Sequence, residues 1–222
     1  MPVPVFAFAT LLLMIDLYTW ATPNGRKVSI ALEELEIEYR ALPVNIGAGD
    51  QHKPEFRVHN PNGKIPVLVD HDEQRTLVES GAILLYLAEK TGRFDGGDNR
   101  WEMVQWLMFQ MSAVGPIFGQ THHFNRYNSG VSVYAQERFV AETHRLYGVL
   151  DERFAHSEYL AGSYSMADIA TFPWIARWPW HSVDWSEFPN LARWYRDLAV
   201  RPAVQKGYNV PASDQRIELP DD

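Results

Sequence analysis

The chain has 222 residues, 46% hydrophobic and 22% charged, so it reads as an ordinary globular protein of one large or two small domains. Its net charge is −8 and it has no run of lysine or arginine, which argues against nucleic acid and anionic membrane as partners. It has no cysteine, which excludes disulfides, thiolate metal sites, haem attachment and a protein-thiol nucleophile. That composition fits a reducing compartment, and the expected location is the cytoplasm.

Residues 1–14, MPVPVFAFATLLLM, are apolar but lack a basic n-region and a well-placed cleavage site. They are also fewer than the roughly 20 apolar residues that span a bilayer. They read as an upstream extension or a misassigned start, with an ordered surface segment or a targeting peptide as the alternatives. Ile15 to Thr19 reads as a first strand, followed by turn chemistry from Trp20 to Gly25. From Arg26 the apolar positions Val28, Ala31, Leu32 and Leu35 have helical spacing. Glu38 to Val44 reads as a second strand, so the unit is βαβ with a parallel pair and a right-handed crossover. Gly47 to Asn62 is a polar loop with at most one helical turn, near Pro54-Glu55-Phe56. Ile65 to Val69 is a third strand, with a proline at its start where a missing N–H is tolerated. A turn at Asp70 to Arg75 joins it to a fourth strand, Thr76-Leu77-Val78, as a hairpin. Ser80 opens a helix with Ile83, Leu84, Leu87 and Ala88 inward and Gly92 as its C′ residue.

Arg93 to Asn99 holds two glycines and three charged residues and reads as a linker. Beyond it the signals are helical. Val104, Leu107, Met108 and Met111 form one face, interrupted near Gly115-Pro116. Phe139, Thr143, Leu146, Leu150 and Phe154 form another. Ser165 and Asp168 fit a capping box with Asp in place of Glu. Leu191, Trp194, Tyr195 and Leu198 mark the last helix, stopped by Pro202.

Four features bear on chemistry. Lys64-Ile65-Pro66 is either a plain turn or, if Ile65–Pro66 is cis, a place where the Ile65 N–H and C=O turn from the sheet toward an extended peptide ligand. Glu79-Ser80 is either an ordinary N-cap or a head-group site, with Glu79 for an ammonium and the free helix N–H groups for a carboxylate. Thr22-Pro23-Asn24 is either an N-cap turn or a hydroxyl and an amide aimed at a thiolate. Adjacent His122 and His123 point about 100° apart on a helix, a poor chelate, so no metal is expected.

In this order, with Glu79-Ser80-Gly81-Ala82-Ile83-Leu84-Leu85-Tyr86-Leu87 and Ser165-Met166-Ala167-Asp168-Ile169, the features resemble the cytosolic glutathione transferase family from about Ile15 to about Val204. Tyr18 to Gly25 and Gly115 to Asn125 look like its bacterial nu-class branch, whose members resemble disulfide reductases more than conjugating transferases. The turn at Asp70 to Arg75 is short for the family and the N-terminal extension is extra.

The resemblance implies an α/β thioredoxin-like domain (βαβ-α-ββα) over 15–92, a linker over 93–98 and an all-helical domain over 99–222. It implies glutathione (reduced or oxidised) as substrate, no permanently bound cofactor, and a homodimer. By match of position, Thr22 and Asn24 face the glutathione sulfur and Ile65 pairs with the cysteinyl backbone. Glu79 and Ser80 bind the γ-glutamyl group, and Gln51 and Lys64 lie near the glycine carboxylate. Arg138, on a helix starting near Tyr134, reaches the site from one subunit or the other. Three activities are compatible: reduction of small disulfides by glutathione, conjugation of small electrophiles in a pocket near Phe118, Tyr127 and Trp178, or a non-enzymatic binding role. A fungal prion-forming regulator also resembles this branch, but it carries a long asparagine-rich region where this chain has an apolar stub.

Overall fold

Strand β1 (Ile15–Thr19) alternates between two apolar faces. Ile15 and Leu17 enter the main core, while Tyr18 packs with Val44, Phe56, Val67 and Val78 on the opposite face. This computed structural model describes residues 15–213 and 215–220, so the expectation for residues 1–14 lies outside them. β1 pairs in parallel with β2 (Tyr39–Pro43) and antiparallel with β3 (Val67–Asp70), which pairs antiparallel with β4 (Arg75–Val78). The sheet order is β2-β1-β3-β4. α1 (Pro23–Glu34) makes the crossover between β1 and β2. It begins three residues before Arg26, because Thr22 caps it and Pro23 sits at N1, where its missing N–H costs nothing. α2 is the single turn Pro54–Arg57, preceded by a 3₁₀ turn at Asp50–His52. α3 (Ser80–Thr91) ends at Gly92, whose φ of 66° is the left-handed C′ geometry.

The second domain is helical. α4 (Arg100–Phe109) passes through a π turn, Gln110–Val114, into α5 (Gly115–His122), which ends in a second π turn, His123–Tyr127. Pro116 therefore does not break the helix. The wider π turn before it absorbs the lost N–H and the ring's clash with the preceding turn. Met108 is not part of the buried face and stands 43% exposed. α6 (Val133–His156) packs on α5 and on α8 (Pro189–Ala199), with Thr143, Leu146, Leu150 and Phe154 buried. α7 (Met166–Ile175) is buried at all ten positions. Its capping box forms as read: Asp168 accepts from the Ser165 N–H and also from Leu160 N–H and Trp194 Nε1. Pro202 does not close the helical domain but opens α9 (Pro202–Tyr208), again from position N1.

The two domains meet along α1, which packs on α3, α7 and α9. Arg26 is fully buried there. Its Nε donates to Tyr208 O at 2.8 Å and its guanidinium lies 3.6 Å from the Tyr208 ring centre. Ser29 Oγ donates to Gly207 O at 2.6 Å. Glu34 accepts from Nε and Nη2 of Arg201 at 2.7 Å each and from the Tyr164 hydroxyl as a third bond. Burying these side chains is tolerable because each makes hydrogen bonds, although Arg26 Nη1 has no partner among the described residues.

Candidate functional site

The register of the sheet creates the site. Tyr18 pairs with Val67, and Val67 with Val78, so three chain segments arrive side by side at one edge. The chain leaves β1 there toward Thr22, enters β3 from Ile65 and leaves β4 at Glu79. β2 runs parallel to β1 and delivers the loop that carries Gln51 to the same edge. Adjacent strands lie only about 4.8 Å apart, so these segments share one surface.

Thr22 is the N-cap of α1, and its Oγ1 accepts from Gly25 N–H at 3.2 Å. The cap reading thus holds, and it leaves the hydroxyl hydrogen free to donate outward. Gly25 is required at this turn: a Cβ there would lie 2.4 Å from Thr19 Oγ1 and 2.4 Å from Trp20 O. Asn24 Oδ1 accepts from Trp174 Nε1 at 3.2 Å, a contact between the domains. The Ile65–Pro66 peptide bond is cis, and Ile65 lies outside the sheet ladder, which begins at Val67. Asn60 Nδ2 donates to Lys64 O at 2.7 Å and holds this loop. Lys64 is exposed. Gln51 Nε2 contacts His52 Nε2 at 3.1 Å, while Gln51 Oε1 is buried without a partner among the described residues.

Glu79 and Ser80 differ from a simple serine cap. Glu79 is the N-cap and Ser80 the first helical residue. Glu79 holds φ 67° and ψ 113°, a left-handed conformation that costs a non-glycine residue roughly 1–3 kcal/mol. Its side chain is exposed and makes no hydrogen bond or ion pair among the described residues, and no side chain caps the first N–H groups of α3. These are the groups that bind an anion at a helix N-terminus. Ser80 turns inward, where its Oγ accepts from Lys27 Nζ at 3.3 Å.

Lys27 is 1% exposed; its Nζ also donates to Gln110 Oε1 at 2.6 Å and approaches Met111 Sδ at 3.3 Å. Burial pushes its ammonium down to about 7, with the Glu79 carboxylate pulling the other way. Lys27, Trp174 and Arg177, which donates to Ala21 O at 3.3 Å, were not among the residues expected from sequence. Lysine at a helical core-side position and tryptophan in an apolar run carry no signal of such long-range contacts.

Arg138 is not brought to the sheet edge. It is exposed on α6, in an open groove of about 590 Å³ with Ile117, Tyr134, Phe139, Glu142 and Arg145. Phe118 is fully buried and cannot line a pocket, whereas Tyr127 is exposed. His122 is buried and bonds His181 at 2.8 Å between the two Nε2 atoms, while His123 is exposed. No cluster of three potential metal ligands occurs among the described residues. No helix among them is long and apolar enough to cross a membrane.

The arrangement is a row of donors and one free carboxylate along the mouth of a peptide-sized edge, suited to a ligand with an ammonium and carboxylates. Residues 14–89 match the glutathione S-transferase N-terminal domain and residues 134–197 the C-terminal domain. The chain is 46% identical over 199 residues to the disulfide-bond oxidoreductase YfcG of Escherichia coli (strain K12), covering 86% of this chain and 93% of that one. It is 38% identical over 230 residues to the disulfide-bond oxidoreductase YghU of the same organism, covering 93% and 80%. Among solved structures, a Pseudomonas putida glutathione transferase with one glutathione disulfide bound per subunit superposes with a TM-score of 0.85, at 39% identity over 92% of this chain and 94% of that one. A Burkholderia graminis glutathione transferase with two glutathione molecules per subunit gives 0.84, at 40% identity over 92% and 91%. With both domain models matched and relatives of this identity spanning most of its length, the chain belongs to the glutathione S-transferase family.

Proposed function

We propose that this chain is a glutathione-dependent disulfide-bond oxidoreductase that uses the thiols of bound glutathione and no protein cysteine. The observation that carries the reading is the absence of any cysteine in a chain 46% identical to a relative named for disulfide-bond oxidoreduction. The first glutathione thiolate attacks one sulfur of a small disulfide, forming a mixed disulfide and releasing a thiolate that takes up a proton. The second glutathione thiolate attacks the glutathione sulfur of the mixed disulfide and expels the other half as a thiol. Two glutathiones become one glutathione disulfide, and the substrate disulfide becomes two thiols. Two glutathione sulfurs held in contact make the second attack nearly unimolecular.

In this reading the Thr22 hydroxyl and the Asn24 amide stabilise the first thiolate, and Ile65 fixes the cysteinyl backbone. Glu79 and the α3 N-terminus at Ser80 hold the ammonium and carboxylate of the γ-glutamyl group, and Gln51 and Lys64 serve the glycine carboxylate. Arg138 would complete the site from the partner subunit of a cytoplasmic, nu-class homodimer. The domains would divide at 15–92 and 99–222. The test is calorimetric titration of glutathione into Glu79→Ala and Thr22→Ala. Loss of the charge-assisted bond of Glu79 should cost roughly 1.5–3 kcal/mol, more than loss of one neutral hydroxyl. The reverse order removes Glu79 from the site.

A further inference from the structure

An asparagine amide carries an acceptor on one side and two donors on the other, and the two sides do opposite things to an anion. A thiolate is stabilised by the NH₂ group and repelled by the carbonyl oxygen. Which side of Asn24 faces the sheet edge is therefore a chemical question, and Trp174 answers it. The indole Nε1–H is a donor only. It lies 3.2 Å from the Asn24 side-chain oxygen, so the oxygen is turned to the second domain and the NH₂ group the opposite way. Asn24 Nδ2 makes no other bond among the described residues, so both its hydrogens remain available.

Trp174 is itself held on several sides. It is 8% exposed on the all-buried helix α7. Its ring stacks on His122 with centres 5.7 Å apart and planes within 22°. Gly115 and Gly119, one turn apart on α5, present no side chain toward it. A Cβ at Gly115 would lie 3.5 Å from the indole Cε2, and one at Gly119 would lie 3.6 Å from Cη2. His122 is fixed in turn by His181, and His181 Nδ1 lies 2.7 Å from the Tyr147 hydroxyl. Tyr147 is fully buried and its hydroxyl has no other partner among the described residues, so it donates to His181 Nδ1. The His181 proton then sits on Nε2 and is donated to His122 Nε2. This chain of bonds locks the imidazole beneath the indole in one orientation.

We propose that Trp174 is a positioning residue for the thiolate: it fixes the Asn24 amide so that the NH₂ group, not the carbonyl, meets the sulfur of bound glutathione. A residue of the helical domain thereby sets the thiol chemistry of the α/β domain. This inference rests on the reading of Asn24 as the residue that faces the sulfur.

The test is a pH titration of the ultraviolet thiolate absorbance of glutathione bound to the full chain, in wild type, Asn24→Ala, Trp174→Phe and the double variant. Phenylalanine keeps the stacked ring and removes only the indole N–H. Trp174→Phe should raise the bound thiol pKa by about one unit, a tenfold loss of thiolate at fixed pH, with less than a threefold change in glutathione affinity. In the Asn24→Ala background it should add nothing. A shift of equal size in that background, or no shift beside a clear effect of Asn24→Ala, overturns the role of Trp174 alone. An unchanged thiol pKa in Asn24→Ala overturns the sulfur-facing reading and the inference with it. Should Trp174→Phe fail to fold, Asn24→Asp decides: it keeps an acceptor for Trp174 but offers the sulfur an anion. It should raise the thiol pKa further than Asn24→Ala does, and an equal or smaller rise overturns the proposal.

Discussion

Replacing Lys27 by methionine should invert in sign with pH. The Lys27 ammonium is sealed between α1, the start of α3 and the π turn at Gln110, with neutral acceptors and no carboxylate within ion-pair distance among the described residues. Burial lowers its pKa from 10.5 to about 7 in the native state. Below pH 7 both states carry the proton, and the native state bears the full penalty of a buried charge, about 5 kcal/mol for a gap of this size. Between pH 7 and 10 the unfolded chain binds more protons than the native one, so stability rises with pH at up to about 1.4 kcal/mol per unit. Methionine has similar length and no charge, but leaves Gln110 Oε1 without its donor, at a cost of about 1–3 kcal/mol. At pH 6 the variant should therefore be more stable than wild type by roughly 2–4 kcal/mol. At pH 10, where a little under 1 kcal/mol of the penalty remains, it should be less stable by up to roughly 2 kcal/mol. Urea unfolding of both proteins at pH 6, 8 and 10, at one protein concentration, reads the difference directly. Other titrating groups cancel in it. Two stability curves that run parallel across this range would refute the reasoning.

The buried histidine pair acts at lower pH. Burial, with Arg177 adding to it, pushes His122 down to about 4, and burial takes His181 well below its usual range. Both are neutral in the native state and take up protons on unfolding, so stability should fall as pH drops from 6.5 toward 4. Thermal unfolding of wild type beside a His122→Phe/His181→Phe pair should show a shallower slope for the variant, and equal slopes would remove the pair from the account. For the proposed homodimer, sedimentation at micromolar concentration should give twice 25.5 kDa. A monomer alone at that concentration would leave Arg138 without a route to the site.

Much of the first domain was legible because each local signal agreed with its neighbours. Strand, helix and hairpin patterns at Ile15, Val28, Val67 and Leu77 all lie where the spacing puts them. The Ser165–Asp168 box was readable because a capping box is local in sequence. Proline was the recurring source of error. Pro23 lies inside the first turn of α1 rather than in a turn ahead of it, Pro202 opens a helix of its own, and Pro116 sits beyond a π turn that sequence periodicity does not anticipate. The expected site residues of the first domain gather because strand register aligns them, a consequence of the hydrophobic alternation itself. Arg138 was not legible in this way, since among the described residues it lines a groove of α6 and its neighbours that holds none of the sheet-edge residues. Lys27 and Trp174 escaped for a different reason. Their partners Gln110 and Asn24 lie 83 and 150 residues away, and only the docking of the two domains makes those contacts.

The central claim is that glutathione supplies both sulfurs. The most direct measurement offers purified protein a model disulfide and an aryl halide, each with glutathione, before and after treatment of the ligand-free protein with an alkylating reagent. The account predicts disulfide reduction well above the uncatalysed rate, faster than conjugation of the halide, and undiminished by alkylation, because there is no protein thiol to modify. Brisk conjugation of the halide with the disulfide left at its uncatalysed rate would contradict it and assign the site to conjugation instead.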